Sequence, residues 1–138
     1  MTTKLVYDGR DAIFGRLASI VAKDLLKGGS VDIINCEEII VSGNKKLFAK
    51  KISAKREMGA GSSLKGPKYP RVADRLVKRM IRGMLPREKA KGRDAIRKLK
   101  CYVGNGELEK DDLKNVIKLN HKKPMKYSSI KEILRLIK

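Results

Sequence analysis

Along the chain the apolar positions change period several times, and each change marks an element. Leu5-Val6-Tyr7-Asp8 is a short apolar run closed by Asp8-Gly9, which predicts a strand and then a turn. From Gly15 the period lengthens. Leu17, Ala18, Val21, Ala22, Leu25 and Leu26 share one side of a helix, and Arg16, Ser19, Lys23 and Lys27 the other, until Gly28-Gly29 ends it. Val31-Asp32-Ile33-Ile34-Asn35 predicts a second strand, and Ile39-Ile40-Val41 a third, or a continuation that stops at Ser42-Gly43. Strand, helix, strand in this order predicts a βαβ unit and hence a parallel sheet.

Residues 44–58 predict a helix capped by Asn44 or Ser42. Its apolar residues fall in two thin stripes, Phe48 with Ile52 and Leu47 with Ala54 and Met58, so modest packing is expected. A loop at 59–63 and a stiffer stretch at 65–70 lead into the most sharply sorted segment, residues 70–86. At ~3.6 residues per turn each residue advances about 100°, which gathers Arg71, Arg75, Lys78, Arg79 and Arg82 into an arc of roughly 100°. Val72, Ala73, Leu76, Val77, Met80, Ile81 and Met84 oppose them. Pro70 suits the first turn of this helix, and Gly83 followed by Pro86 suits a stop.

Residues 87–93 are dense in cation and broken by Gly92. A short helix at 94–98, a strand at 99–103 and a turn at Gly104-Asn105-Gly106 are expected next. Residues 107–112 are acidic and polar, and 116–119 form a short strand or turn. Ser129 with Glu132 makes a capping box ahead of a packing face of Ile130, Ile133, Leu134 and Ile137.

The charge sharpens this outline. The chain has 138 residues, enough for one compact domain over residues 1–138, and a formal net charge of +19. Residues 1–44 hold five Lys and Arg against six Asp and Glu, residues 45–100 twenty against four, and residues 101–138 nine against five. A charge confined to the middle reads as a binding surface, a basic region at about 44–98, on an ordinary scaffold. It implies nucleic acid or another anionic surface as partner.

Catalytic chemistry is missing. His121 is the single imidazole, set in a basic polar stretch that suits a surface residue. No Cys/His cluster has metal spacing, and no nucleophile–base pair can be drawn. Cys36 and Cys101 sit in apolar, strand-like surroundings that suit buried reduced thiols. The loop from Gly9 to Gly15 leads into a helix but lacks the G-x-G-x-x-G spacing and a following Lys-Ser/Thr, so it suits a nucleic-acid phosphate beside Arg16 better than a mononucleotide. The opening MTTKLVYDGR has no apolar signal core and no stretch is long enough to span a bilayer, which predicts a soluble protein of a reducing compartment.

No helix-turn-helix, finger or basic zipper is present, and the cations spread over a helix, a loop and a second helix. That spread suits several strands of a folded RNA better than one groove of a duplex. Aromatic residues are 4% and Trp is absent, which argues against a base-stacking sheet.

Three groups of residues carry a family resemblance: Gly15-Arg16-Leu17-Ala18-Ser19 with Asp8 before it; Ile34-Asn35-Cys36-Glu37 leading to Val41-Ser42-Gly43-Asn44; and Gly66-Pro67, Arg82-Gly83-Met84-Leu85-Pro86 and Lys91-Gly92-Arg93-Asp94-Ala95. In this order and spacing the sequence resembles the universal large-subunit ribosomal protein L-thirteen family in its archaeal or eukaryotic-type form. The likeness covers about residues 4–104, and after Gly104 Asn105-Gly106-Glu107 stands where members often have proline.

The resemblance implies an α/β fold, a three-layer α/β/α domain around a mostly parallel sheet of about four strands. It implies a cytoplasmic structural role in the ribosome, bound to large-subunit ribosomal RNA beside neighbouring ribosomal proteins, with early entry into assembly. It implies no catalysis and no cofactor, and no membrane or small-molecule substrate is expected. The family's RNA-contacting regions map onto Arg16; Lys45, Lys46, Lys50, Lys51, Lys55 and Arg56; Lys65 and Lys68; Arg71, Arg75, Lys78, Arg79 and Arg82; and Arg87, Lys89, Lys91 and Arg93. Two other readings compete: a nucleotide-dependent enzyme on the βαβ scaffold, which lacks its glycine fingerprint, and a general DNA-compacting protein.

Overall fold

The computed structural model describes residues 3–59, 66–108 and 110–137. The chain opens with β1 (Lys4–Asp8), α1 (Phe14–Leu26) and β2 (Ser30–Ile34), followed by a 3₁₀ turn at Cys36–Glu38 and β3 (Ile40–Ser42). Next come α2 (Lys45–Glu57), α3 (Ala73–Arg82), α4 (Ala90–Arg97) and β4 (Leu99–Cys101). The last elements are α5 (Lys110–Lys114), β5 (Val116–Lys118), β6 (Tyr127–Ser129) and α6 (Ile130–Leu136).

Four strands form a parallel sheet in the order β4-β2-β1-β5. Leu5, Tyr7, Val31, Ile33, Leu99 and Ile117 share one face, since β1 pairs in register with β2 and β5. Against that face pack Leu17, Val21 and Leu25 of α1 and Leu76, Val77 and Ile81 of α3, and Ile130 and Ile133 of α6 extend the same core beside α2 and α3, all buried. Tyr7 is buried too, and its hydroxyl donates to Asp24 at 2.7 Å. Burial, then that carboxylate, push the phenol's pKa up. The opposite face carries Lys4, Val6, Asp32 and Ile34. Lys4 pairs there with Asp32 at 3.6 Å and with Asp112 of α5. The steps β1 to β2 to β4 run one way across the sheet, and the step to β5 runs back past β1. Right-handed crossovers therefore send α5 to the face opposite α1, and the direction of winding reverses between β1 and β5.

Both predicted caps form. The Asn44 side chain accepts from the Lys46 N–H at 2.9 Å, and the Ser129 hydroxyl accepts from the Glu132 N–H at 3.3 Å. Ser129→Ala should lower stability by about 1 kcal/mol, read as a lower urea midpoint at unchanged slope.

Several expectations are corrected. The third strand leaves the main sheet: β3 pairs antiparallel with β6, Ile40 opposite Ser129. Glu37 and Glu38 lie on the 3₁₀ turn between β2 and β3. Both Glu37 oxygens accept from the Gly104 N–H, at 3.0 and 3.1 Å, and Glu38 pairs with Arg10 at 3.5 Å. The strand expected over 99–103 stops at Cys101, although the Tyr102 N–H still bonds Ile33 O at 2.8 Å.

Gly92 does not break the chain. The helix expected at 94–98 begins at Ala90 and runs through it. A Cβ on Gly92 would lie 2.0 Å from the Pro86 carbonyl oxygen, so the glycine is what allows α4 to touch that backbone. Of the two stripes expected on α2, only the Phe48 and Ile52 side packs, joined by Ala49; Leu47, Ala54 and Met58 are exposed. Cys36 is buried and Cys101 half-buried, both reduced. Hydrogen bonding with Cys101 and then burial push the Cys36 thiol up.

Candidate nucleic-acid interface

The sorted segment is a shorter helix than its pattern suggested. α3 starts at Ala73, so Pro70 and Arg71 precede it instead of filling its first turn. Val72 and Met84, expected on the packing side, are exposed at 48% and 43% because they flank the helix rather than belong to it. Within α3 the sorting holds. Ala73, Leu76, Val77 and Ile81 are buried, while Arg75, Lys78, Arg79 and Arg82 share the outer side.

Two shallow grooves border that outer side. One, of about 290 Å³, runs from Arg75 and Lys78 to Lys100 and Tyr102 beside β4. The other, of about 250 Å³, is lined by Arg75, Lys78, Arg79 and Arg82 with Pro70 and Ile96. Among the described residues none of Arg71, Arg75, Lys78, Arg79, Arg82 and Arg87 has a carboxylate partner. Asp74, the acid nearest the stripe, accepts instead from the Arg75 backbone N–H at 2.6 Å.

Tyr69 joins the basic helices. The Arg79 guanidinium stands 4.9 Å from its ring centre, and the Lys55 ammonium of α2 5.4 Å from the same ring. Arg79 also donates to the Lys68 carbonyl at 3.4 Å. Cations that are 24 residues apart in sequence thus converge on one aromatic. Sequence reasoning passed over Tyr69; its only signal was an aromatic between two prolines in a basic stretch.

Beyond α3 the charge crowds. Arg82 and Arg87 line a cavity of about 560 Å³ with Lys89 and Glu88. Burial first, then the like charges of Arg79 and Arg87, hold the Arg82 guanidinium below its usual pKa. Its Nε is buried without a hydrogen-bond partner. Arg93 donates to the Glu88 carbonyl at 2.9 Å, which ties α4 to this turn, and exposed Lys89 and Lys91 flank it.

The remaining expected contacts sit apart. Arg16 is exposed in the first turn of α1. On α2, Lys46, Lys50, Lys51 and Lys55 are exposed and Arg56 is half-buried, while Lys45 pairs with Glu132 of α6 at 3.4 Å. Lys65 lies outside the described residues. His121, expected at the surface, is half-buried with an unpartnered Nε2. Among the described residues no group of three or more His, Cys, Asp or Glu could hold a metal ion, and no helix is long and apolar enough to cross a membrane.

Residues 2–107 match the family model for Ribosomal protein L13. The chain belongs to that family. It is similar to the large ribosomal subunit protein uL13 of Methanocaldococcus jannaschii, 42% identical over 130 residues that cover 93% of each chain. The uL13 of Methanosphaera stadtmanae is 38% identical over 135 residues, 96% of this chain and 95% of its own. That of Methanosarcina barkeri is 47% identical over 100 residues, 72% and 70% of the two chains.

As a member of the L13 family, the protein is a structural constituent of the large ribosomal subunit and not an enzyme. The family match also frames the geometry. Arg82-Gly83-Met84-Leu85-Pro86 carries the chain from the end of α3 to the backbone that Gly92 touches. β5, β6 and α6 lie beyond the family model's span, but the two longer archaeal alignments take in most of the chain.

Proposed function

We propose that this L13-family protein binds large-subunit ribosomal RNA through the outer side of α3, the cations of α2, and residues 87–93, and that this binding supports subunit assembly in the cytoplasm. Its partners are that RNA and neighbouring ribosomal proteins. The chain acts as one domain, with residues 44–98 as its RNA-binding region. Arg16 and Lys68 add phosphate contacts at the margins.

The crowding of Arg79, Arg82 and Arg87 carries this reading. Like charges held together without a carboxylate partner raise the energy of the free protein, and at Arg82 burial first and then the charges of Arg79 and Arg87 hold the pKa down. A phosphate set among them relieves the repulsion and satisfies the buried Arg82 Nε, and the flat guanidinium suits two-pronged phosphate contact. RNA segments that repel one another can then lie close on one rigid support.

Arg75→Glu with Lys78→Glu tests it. Both side chains lie on the outer side of α3 and neither makes an ion pair among the described residues, so the melting temperature should stay close to wild type. Affinity for large-subunit ribosomal RNA should fall by roughly 10–100-fold in filter binding, with a salt slope shallower by about two. Wild-type affinity in a folded double variant would remove α3 from the interface.

A further inference from the structure

The winding of the sheet reverses between β1 and β5, and chain segments leave those two strand ends in opposite directions. Asp8 stands opposite Lys118 in the register of the β1–β5 ladder, which sets the two carboxyl ends level. Beyond them opens a crevice of about 550 Å³, walled by Arg10 and Asp11 after β1 and by Lys118, Asn120, His121 and Lys122 after β5. None of these residues belongs to the basic surface of α2, α3 and α4.

We propose that this crevice seats a backbone phosphate of an RNA strand, a second contact remote in sequence from residues 44–98. The inference rests on the ribosomal RNA binding proposed above. The carboxylates in the wall are already engaged. Asp8 is buried and accepts from the Arg10 backbone N–H and from the Asn35 side-chain amide, each at 3.0 Å. Asp11 pairs with Lys123 at 2.8 Å, and Arg10 pairs with Glu38. Lys118 and Lys122 are exposed and have no carboxylate partner among the described residues. His121 adds an Nε2 that lacks a hydrogen-bond partner. Asp8 is thus the one unpaired acid among the described lining residues, and it is buried, while the exposed charges left without a partner, Lys118 and Lys122, are cationic.

The support beneath it is stiff. A Cβ on Gly9 would come within 2.8 Å of the Ile34 and Asn35 carbonyl oxygens and 2.7 Å of Ile39, so the chain leaves β1 packed against its neighbours. Asp11 then turns the loop at φ 56°. An RNA backbone fits this wall better than a free nucleotide does. Among the described residues that line it, Leu119 is the only large apolar one and none is Phe, Tyr or Trp, so the wall itself offers no ring to stack or enclose a base. Lysines on flexible stems bind a phosphate as a charge, without reading a sequence.

The experiment uses the full chain assembled into large subunits. A photoreactive residue replaces Asn120 in one preparation and Arg75 in another. In parallel, free protein carrying Lys118→Glu and Lys122→Glu is assayed for ribosomal RNA binding, and wild-type protein is titrated with inorganic phosphate and with AMP. Crosslinks from position 120 to ribosomal RNA are expected, with a roughly tenfold loss of affinity in the folded double variant and no saturable AMP binding. Crosslinks from position 75 but none to RNA from position 120 would overturn the crevice and leave the α3 surface standing. RNA crosslinks from neither position would overturn both. Saturable AMP binding abolished by the double reversal would make the crevice a small-molecule site and overturn the RNA assignment.

Discussion

Raising salt from 50 to 200 mM should weaken binding to large-subunit ribosomal RNA by roughly 10³–10⁵-fold, the loss expected when ~6–10 phosphates are engaged. The cations needed are in place. Arg75, Lys78, Arg79 and Arg82 share one side of α3, Lys55 meets Arg79 at Tyr69, and Arg87 lines the same cavity as Arg82. Each phosphate bound releases condensed counterions, so the dependence should be linear in log salt. Filter binding across that range measures the slope. A flat response would mean that the interaction is not carried by these charges, whatever its affinity. The free protein predicts the same direction: salt screens the repulsion among Arg79, Arg82 and Arg87, and so removes part of what RNA binding relieves.

Gly92→Ala should cost about 3 kcal/mol, although alanine is the better helix former by about 1 kcal/mol at an ordinary exposed site. The added Cβ would meet the Pro86 carbonyl oxygen at 2.0 Å and its carbon at 2.5 Å, and neither is a flexible side-chain tip. α4 must then lift from the turn at Pro86, which loosens buried Ala95 and Leu85 and separates Arg87 from Arg82. For a chain of this size, calorimetry should show a fall in melting temperature of about 10 °C. RNA affinity should drop with it, because the crowded guanidinium groups lose their spacing. A variant as stable as wild type would show that α4 and Pro86 do not approach this closely.

The elements that could be read from sequence were those whose signals are local. α1 showed a full apolar stripe, β1 and β2 were short apolar runs closed by turns, and Asn44 and Ser129 announced the starts of α2 and α6. What escaped depended on distant partners. Three residues at Ile40–Ser42 carry no mark that they pair with Tyr127–Ser129 instead of the main sheet. Gly92 looks like a helix breaker until Pro86 is seen against it. The cationic sorting of α3 was plain, yet a helical wheel extends without penalty past Ala73 and so enrolled Arg71, Val72 and Met84. At the interface the charges were legible as residue types, but their convergence was not. Tyr69 lies between α2 and α3 in sequence, and only the folded chain brings Lys55 and Arg79 to its ring.

The seating of α2 has a consequence for the order of events at synthesis. Its Lys45 pairs with Glu132, and it packs beside α6, made some eighty residues later. At about 5–20 residues per second, that helix is translated roughly 4–16 s after α2. A cationic segment therefore leaves the translating ribosome well before its intramolecular dock has been made, and nascent chains halted before Ile130 should leave α2 open to protease while released chains protect it.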